Sequence, residues 1–285
     1  MIVCQDNLEL LKTLEDNSID LIYCDILYGT DRDFKEYQDL PTDRKVIDEF
    51  YLPRIKEMHR VLKTSGSIYL QMDTKISHWV RDKLDSVFGF NNFRNQITWK
   101  REGSKGAKSK SKSFPKNHDV ILFYSKSKDY YYQQQFTSYS AAYKKKHVKI
   151  DEEGREFIDC PLGTRTALRS IEELKEDGRI YTTRKGGHRY KKFLYELEGV
   201  AVGDIWDDIN PVNSMSKEKT GYPTQKPLEL MERIISSSSK EGDLVADFFC
   251  GSGSFLLQAK FMNRKFIGCD LSNIAVQISK ERINR

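Results

Sequence analysis

The apolar run Leu244-Val245-Ala246-Asp247-Phe248-Phe249 stops at Cys250-Gly251-Ser252-Gly253 and is followed from Ser254 by an apolar stretch with helical spacing. A buried strand that turns over two glycines into a helix is the βα junction of a mainly parallel sheet. The missing side chains there let a ligand lie against backbone N–H groups. A dinucleotide site would normally carry a third glycine three residues past Gly253; Leu256 stands there instead, which disfavours a pyrophosphate. The next strand ends at Asp270, where an acid can accept hydrogen bonds from ribose hydroxyls. Together these features predict a ribose-bearing ligand without a pyrophosphate, although a Gly-x-Gly turn taken alone is better explained as a tight structural turn.

The same rhythm runs through most of the chain. Apolar runs predict strands at Ile2–Cys4, Leu21–Cys24, Ser67–Gln71, Gln96–Trp99, Val120–Tyr124, Leu244–Phe249 and Lys265–Cys269. Helical patterns fall between them, at Asn7–Leu14, Ile47–Leu62, Ile76–Phe88, Lys226–Ser237, Ser254–Phe261 and Ile274–Asn284. The alternation predicts one α/β core, and 285 residues leave room for one further module. From about Ser127 to Glu218 the βα rhythm is lost. This stretch mixes Tyr130, Tyr131, Tyr132, Tyr139 and Tyr143 with Lys144-Lys145-Lys146, and reads as an insertion. Aromatic and basic residues together suit contact with bases and phosphates, and they suit a small β-rich subdomain with a charged surface equally well.

The net charge of +5 is mild but unevenly spread. Lys100, Arg101, Lys105, Lys108, Lys110, Lys112 and Lys116 crowd one segment opposed only by Glu102, which predicts contact with a polyanion and a segment that is mobile without it. Its Ser and Gly content fits a solvated loop as well. The five cysteines, at positions 4, 24, 160, 250 and 269, show no C-x-x-C spacing, so zinc and disulfide frameworks are not expected. With neither a signal-like N-terminus nor an apolar segment of membrane-spanning length, the chain reads as a reduced, soluble, cytoplasmic protein.

A second phrase lies near the start: Ile22-Tyr23-Cys24-Asp25-Ile26-Leu27-Tyr28-Gly29. Asp25 ends a buried strand, where α/β sheets place ligand chemistry, and Tyr28 follows close enough to cover a planar group. Strand alternation turns Cys24 to the opposite face from Asp25, so Cys24 is a core residue rather than a nucleophile.

These residues carry a family resemblance. Asp25-Ile26-Leu27-Tyr28 resembles the Asp-Pro-Pro-Tyr motif of amino-group DNA methyltransferases, Phe249-Cys250-Gly251-Ser252-Gly253 matches their Phe-x-Gly-x-Gly cofactor motif, and Tyr222-Pro223-Thr224-Gln225-Lys226-Pro227 is similar to the segment preceding it. Catalytic motif, variable middle, then cofactor motif is the order of the β class. The resemblance implies a circularly permuted, Rossmann-like fold that binds S-adenosylmethionine. It divides the chain into a discontinuous catalytic domain, 1–126 and 219–285, and a target-recognition module, 127–218. By the same resemblance Phe249, Gly251 and Gly253, with Asp247, Cys250 and Ser252, would cradle the cofactor. Asp270 would hold its ribose and Asp6 its adenine, while Thr224 and Lys226 would lie near its methionine carboxylate, and Asp25 would also contact the cofactor. Helix capping is the plainer role for Asp6 and Asp270, and a first-turn surface position for Lys226.

The implied activity is transfer of a methyl group to N6 of adenine in double-stranded DNA. Asp25 and the Ile26 carbonyl would hold the amino group and Tyr28 would stack on the flipped base, with no metal. Cytosine-N4 methylation uses the same geometry, though its usual motif begins with Ser; cytosine-C5 methylation needs a cysteine that Cys24 cannot supply. The setting implied is a restriction system with a cognate endonuclease, and relatives of the class often dimerise. Ile26 and Leu27 replace both prolines of the usual motif, which removes their φ restriction and motivates a competing reading: a catalytically weak DNA-binding protein that retains the fold. An RNA acceptor is a further alternative.

Overall fold

Strands with no polar alternation are buried on both faces, and here they form the centre of a sheet covered by helices on each side. The computed structural model describes residues 1–32, 37–101, 112–162, 170–213 and 215–284. These form two units, Met1–Gln133 with Gly203–Arg285, and Gln134–Val202.

The first half of the larger unit runs β1 (Ile2–Cys4), α1 (Asn7–Thr13), β2 (Ile19–Asp25), α2 (Arg44–Val61), β3 (Leu62–Met72), α3 (Ser77–Phe88), β4 (Phe93–Lys100) and β5 (His118–Ser125). The smaller unit follows with β6 (Phe136–Thr137), α4 (Ala141–His147), β7 (Val148–Ile150), β8 (Glu156–Pro161), α5 (Ile171–Glu176), β9 (Ile180–Thr182), β10 (His188–Phe193) and β11 (Val200–Ala201). The chain then completes the larger unit with β12 (Ile205–Trp206), α6 (Leu228–Ser238), β13 (Leu244–Asp247), α7 (Ser254–Phe261), β14 (Lys265–Asp270) and α8 (Asn273–Asn284).

The main sheet has the order β1-β14-β13-β2-β3-β5-β4-β12. Its pairings are parallel except for β5, which runs antiparallel to both β3 and β4. Alternation along β2 and β3 sorts the two faces. Ile22, Cys24, Ile68 and Leu70 share a buried cluster with Leu11, Ile47, Ile55 and Val80 of α1–α3. Tyr23 and Tyr69 point the other way: Tyr23 stacks on Phe255 of α7, with ring centroids 5.2 Å apart, and the Tyr69 hydroxyl lies 2.7 Å from Ser238 Oγ of α6. The sheet is therefore doubly wound. N-terminal β2 and C-terminal β13 are adjacent and parallel, so the two ends of the chain meet at its centre.

The expected α/β class and element order hold, with instructive differences. The helix expected from Lys226 starts at Leu228, because Pro227 occupies the N-cap with an extended backbone, φ −69° and ψ 146°. That leaves Lys226 in the preceding segment. The strand expected to reach Phe249 ends at Asp247. Strand β12, only two residues long, gave no periodic signal, yet it extends the sheet edge and buries Trp206.

The smaller unit is β-rich, with a four-stranded antiparallel sheet, β7-β8-β10-β9, and a short β6/β11 pair. It is narrower than the expected module of 127–218. Residues 127–133 stay with the core, because Tyr130 and Tyr132 pack on Phe123 of β5 while Arg94 covers the Tyr130 ring at 4.5 Å. Residues 203–218 stay there too, since β12 lies in the main sheet and Asp208 pairs with Arg233 of α6. This part of the aromatic and basic mixture therefore packs against the larger unit, with Tyr132 still exposed.

Candidate active site

A cavity of about 820 Å³ opens at the C-terminal ends of β2, β13 and β14. Both sequence phrases reach it: Asp25 and Tyr28 line one part, and Gly251 and Asp270 another, with Lys226 and Asp6 also in its wall. Such an edge is where parallel strands of a doubly wound sheet leave a crevice.

In one part of the cavity, Asp25 is held from two sides. Its Oδ2 accepts a hydrogen bond from Lys226 Nζ, and its Oδ1 accepts one from the Tyr28 hydroxyl at 2.8 Å. Burial pushes the Asp25 carboxyl above its ordinary range, and the Lys226 ammonium opposes that rise. The same Lys226 Nζ donates to the Thr224 carbonyl at 3.1 Å, and Thr224 itself has a left-handed φ of +61°. Lys226 is buried, so the surface-lysine role is ruled out, and its ammonium is committed to Asp25.

The two non-proline residues of the motif are immobilised. Ile26 is buried, and its backbone N–H donates to the Gln71 carbonyl at 3.0 Å, a bond that proline could not make. The Leu27 carbonyl accepts from the Tyr51 hydroxyl at 2.8 Å. Hydrogen bonds thus restrict the segment where φ restriction would otherwise do so. Cys24 is buried on the opposite face and its Sγ accepts from Phe248 N–H at 3.4 Å; burial holds its thiol well above the usual range, which makes it a poor nucleophile.

At the glycine turn, Asp270 ties the backbone together. Its Oδ2 accepts from Gly251 N–H at 2.9 Å and its Oδ1 from Ser272 N–H at 2.9 Å. Ser272, not Asp270, accepts from the first turn of α8. Burial raises the Asp270 carboxyl, and the backbone N–H groups counter it. With the Leu271 N–H also bonded to it, the carboxylate keeps one acceptor position of its four. Gly251 has φ +49° and lines the cavity, and a Cβ there would lie 3.2 Å from the Tyr222 ring. Cys250 and Ser252 line the same wall; Asp247, raised by burial, accepts from Phe249 N–H at 3.0 Å, and Phe249 leans on Phe50 and Tyr51. Gly253 is absent from the cavity wall. Its φ is +72° and a Cβ would meet Ser279 Oγ of α8 at 2.6 Å, so close helix packing explains this glycine.

Asp6 does cap α1, accepting from Leu8 N–H at 2.8 Å, and also pairs with Arg54 at 2.7 Å while lining the cavity. Arg54 further donates to Asn7 Oδ1 at 2.6 Å and lies 3.7 Å over Phe50. The sequence reading did not single out Arg54; a cation between Phe50 and Ile55 on an apolar helix face was the available signal.

Of the basic segment, Lys105, Lys108 and Lys110 lie outside the described residues. Lys112 is exposed. Arg101 pairs with Asp119 at 3.2 Å, Lys116 with Asp73 at 2.8 Å, and Lys100 lies 4.0 Å from Asp207. Arg101 and Lys116 therefore serve the cavity rim, where intramolecular carboxylates already answer their charge.

Comparison with known proteins gives a consistent picture. The DNA methylase profile for N6 and N4 methyltransferases matches residues 19–281. The type II methyltransferase M.EcaI of Enterobacter cloacae is 30% identical over 94% of this chain, which spans 65% of that relative's length. Among solved structures, the cytosine-N4-specific PvuII DNA methyltransferase superposes with a TM-score of 0.63 at 17% identity, covering 99% of this chain and 85% of its own. The M1.HpyAVI–SAM complex superposes with a TM-score of 0.57 at 18% identity, covering 100% and 99%. The last two likenesses establish the Rossmann-like methyltransferase fold.

Proposed function

Because the chain belongs to the DNA methylase family, we propose that it transfers a methyl group from S-adenosylmethionine to N6 of adenine in duplex DNA, in a type II modification setting. The observation that carries this reading is the meeting of Asp25, Tyr28 and Lys226 in one cavity with the Gly251 turn and Asp270. The cavity residues fit the cofactor: the Gly251 cradle would be narrowed by any Cβ, and Asp270 offers an acceptor to a ribose beside it. When bound, S-adenosylmethionine supplies an electrophilic sulfonium methyl.

An exocyclic amine is a poor nucleophile because its lone pair is delocalised into the ring. Asp25 Oδ1 and the Ile26 carbonyl would accept its two hydrogens and favour a pyramidal nitrogen. Lys226 favours the ionised form of Asp25 that this requires. Tyr28 would stack on a base flipped out of the duplex, contributing roughly 1–3 kcal/mol by analogy with other base–aromatic contacts. The hydrogen bonds that fix Ile26 and Leu27 favour an active enzyme over a catalytically weak binder. Asp25 at the motif's first position favours adenine over cytosine.

Tritiated methyl transfer to DNA lacking prior methylation, followed by nucleoside chromatography, tests the assignment. Label in N6-methyladenine is expected; label in N4-methylcytosine would reassign the base, and transfer to structured RNA in preference to duplex DNA would reassign the acceptor.

The unit Gln134–Val202 is the candidate target-recognition module. Its helix α4 has no buried residue, Tyr139 just before it stacks on Tyr143, whose ring lies tilted against His147, and Lys144, Lys145 and Lys146 are exposed. Replacing the three lysines by alanine should weaken DNA binding and reduce the slope of log K against log salt by roughly one for each phosphate no longer neutralised. An unchanged slope would remove α4 from the interface.

A further inference from the structure

Beside the proposed active site, and resting on that reading, stands a carboxylate that the methyl-transfer scheme does not use. Asp119 is the second residue of β5 and is 1% exposed. Because β5 runs antiparallel to β3, its N-terminal end lies at the edge where β2 and β3 finish. Asp119 Oδ2 accepts from the Tyr28 hydroxyl at 3.0 Å and from Gln71 Nε2 at 3.0 Å. Gln71 is fixed in turn, since its Oε1 accepts from the Tyr23 hydroxyl at 2.8 Å. The other oxygen, Oδ1, is buried without a hydrogen bond, and Arg101 Nε beside it at 3.2 Å makes an ion pair in a direction unsuited to one.

The Tyr28 hydroxyl has a single hydrogen and two carboxylates within reach, Asp25 Oδ1 at 2.8 Å and Asp119 Oδ2 at 3.0 Å. A buried carboxylate that is ion-paired through one oxygen, bonded to Tyr28 through the other and left out of the methyl-transfer scheme calls for an explanation. We propose that Asp119 is the proton acceptor at the end of an Asp25–Tyr28–Asp119 relay that clears the proton released when the amine is methylated. As the new N–C bond forms, one amine N–H bond breaks and its proton passes to Asp25 Oδ1. That proton moves on to Tyr28 Oη while the original phenolic proton moves to Asp119 Oδ2. One proton leaves the amine, one arrives at Asp119, and Tyr28 ends neutral. Asp25 is thereby returned to the ionised form, and Arg101 stabilises Asp119 before the proton arrives.

The charges around the relay give the sign of its pH dependence. Asp25 faces Lys226, Tyr28, Tyr23, Tyr37, Cys24, Asp247 and Asp119; Asp119 faces Arg101, Tyr28, Tyr23 and Asp25. The negative charge of Asp119 disfavours ionisation of Asp25, so removing it lets Asp25 ionise at lower pH.

The test compares Asp119→Asn, Asp119→Glu, Tyr28→Phe and the Tyr28→Phe/Asp119→Asn double variant on unmethylated DNA, with cofactor affinity measured alongside. Asp119→Asn should lower kcat on the order of 10²-fold with little change in cofactor affinity, and should move the acid limb of the kcat profile to lower pH. Asp119→Glu should recover part of the rate. In the Tyr28→Phe background, which keeps the ring but removes the bridge, Asp119→Asn should add little. A wild-type kcat and pH profile in Asp119→Asn, or an equal loss with and without the Tyr28 hydroxyl, overturns the relay. Wild-type methyl transfer in the same assay separates the two failures: no transfer by the wild type overturns the proposed function and the relay with it, whereas transfer by the wild type with an unaffected Asp119→Asn overturns the relay alone.

Discussion

Asp25→Ala is expected to lower methyl transfer by about 10³-fold or more, with cofactor affinity changed by less than roughly tenfold. The carboxylate is the only side-chain acceptor proposed for the amine, so its loss removes an interaction that strengthens as the nitrogen becomes pyramidal. The variant also strands the Lys226 ammonium, which is buried and bonded to Asp25. A buried charge that loses its partner costs about 3–5 kcal/mol, so Asp25→Ala will lose stability as well as activity. Asp25→Asn separates the two effects, because it keeps the shape and one acceptor oxygen while losing the charge. It should be more stable than Asp25→Ala yet still strongly impaired, and a fall in rate that tracked only the fall in melting temperature would assign Asp25 to structure. Wild-type rates in both variants would exclude it from the chemistry.

The legible part of this site was the part written in contiguous residues. Asp25 and the Gly251 turn each sit at a strand end, and strand ends can be read from apolar runs and the glycines or acids that stop them. That the two meet in one cavity followed from the expected parallel sheet, and β2 and β13 are neighbours. Asp119 is not legible in the sequence for a topological reason. An acid heading the run Val120–Tyr124 reads as an ordinary strand start, and it reaches Tyr28 only because β5 is antiparallel, a direction that an apolar run does not reveal. Lys226 was legible as a cation near the cofactor turn, but its partner was not. It reaches Asp25 across 201 positions of sequence, from a segment that Pro227 keeps out of α6. The proline replacements show the same limit from the other side: the sequence displays a lost restraint at Ile26, whereas the compensating bond to Gln71 comes from a strand more than forty residues away.

The two glycines of the turn, indistinguishable in the motif, should separate sharply when each is replaced by alanine. Both have positive φ, so each substitution should carry about 1–3 kcal/mol of backbone strain. Beyond that their surroundings differ. At Gly253 the new Cβ would lie 2.6 Å from Ser279 Oγ and 3.0 Å from Ser279 Cα, and the backbone of α8 cannot yield as a free side chain could. At Gly251 the nearest atom is 3.2 Å away on the Tyr222 ring, a cavity-wall side chain that has only a few tenths of an ångström to give, so the added methyl alters the wall rather than the helix packing. Gly253→Ala should therefore show the larger drop in melting temperature, about 2–4 °C for each kcal/mol lost, with near-normal cofactor affinity in the fraction that remains folded. Gly251→Ala should melt closer to the wild type and bind S-adenosylmethionine on the order of tenfold or more weakly. Calorimetric titration beside a thermal melt reads both quantities from one preparation. If the two variants lose cofactor affinity and stability in the same proportion, the turn acts as one rigid unit, and the division into a ligand glycine and a packing glycine is wrong.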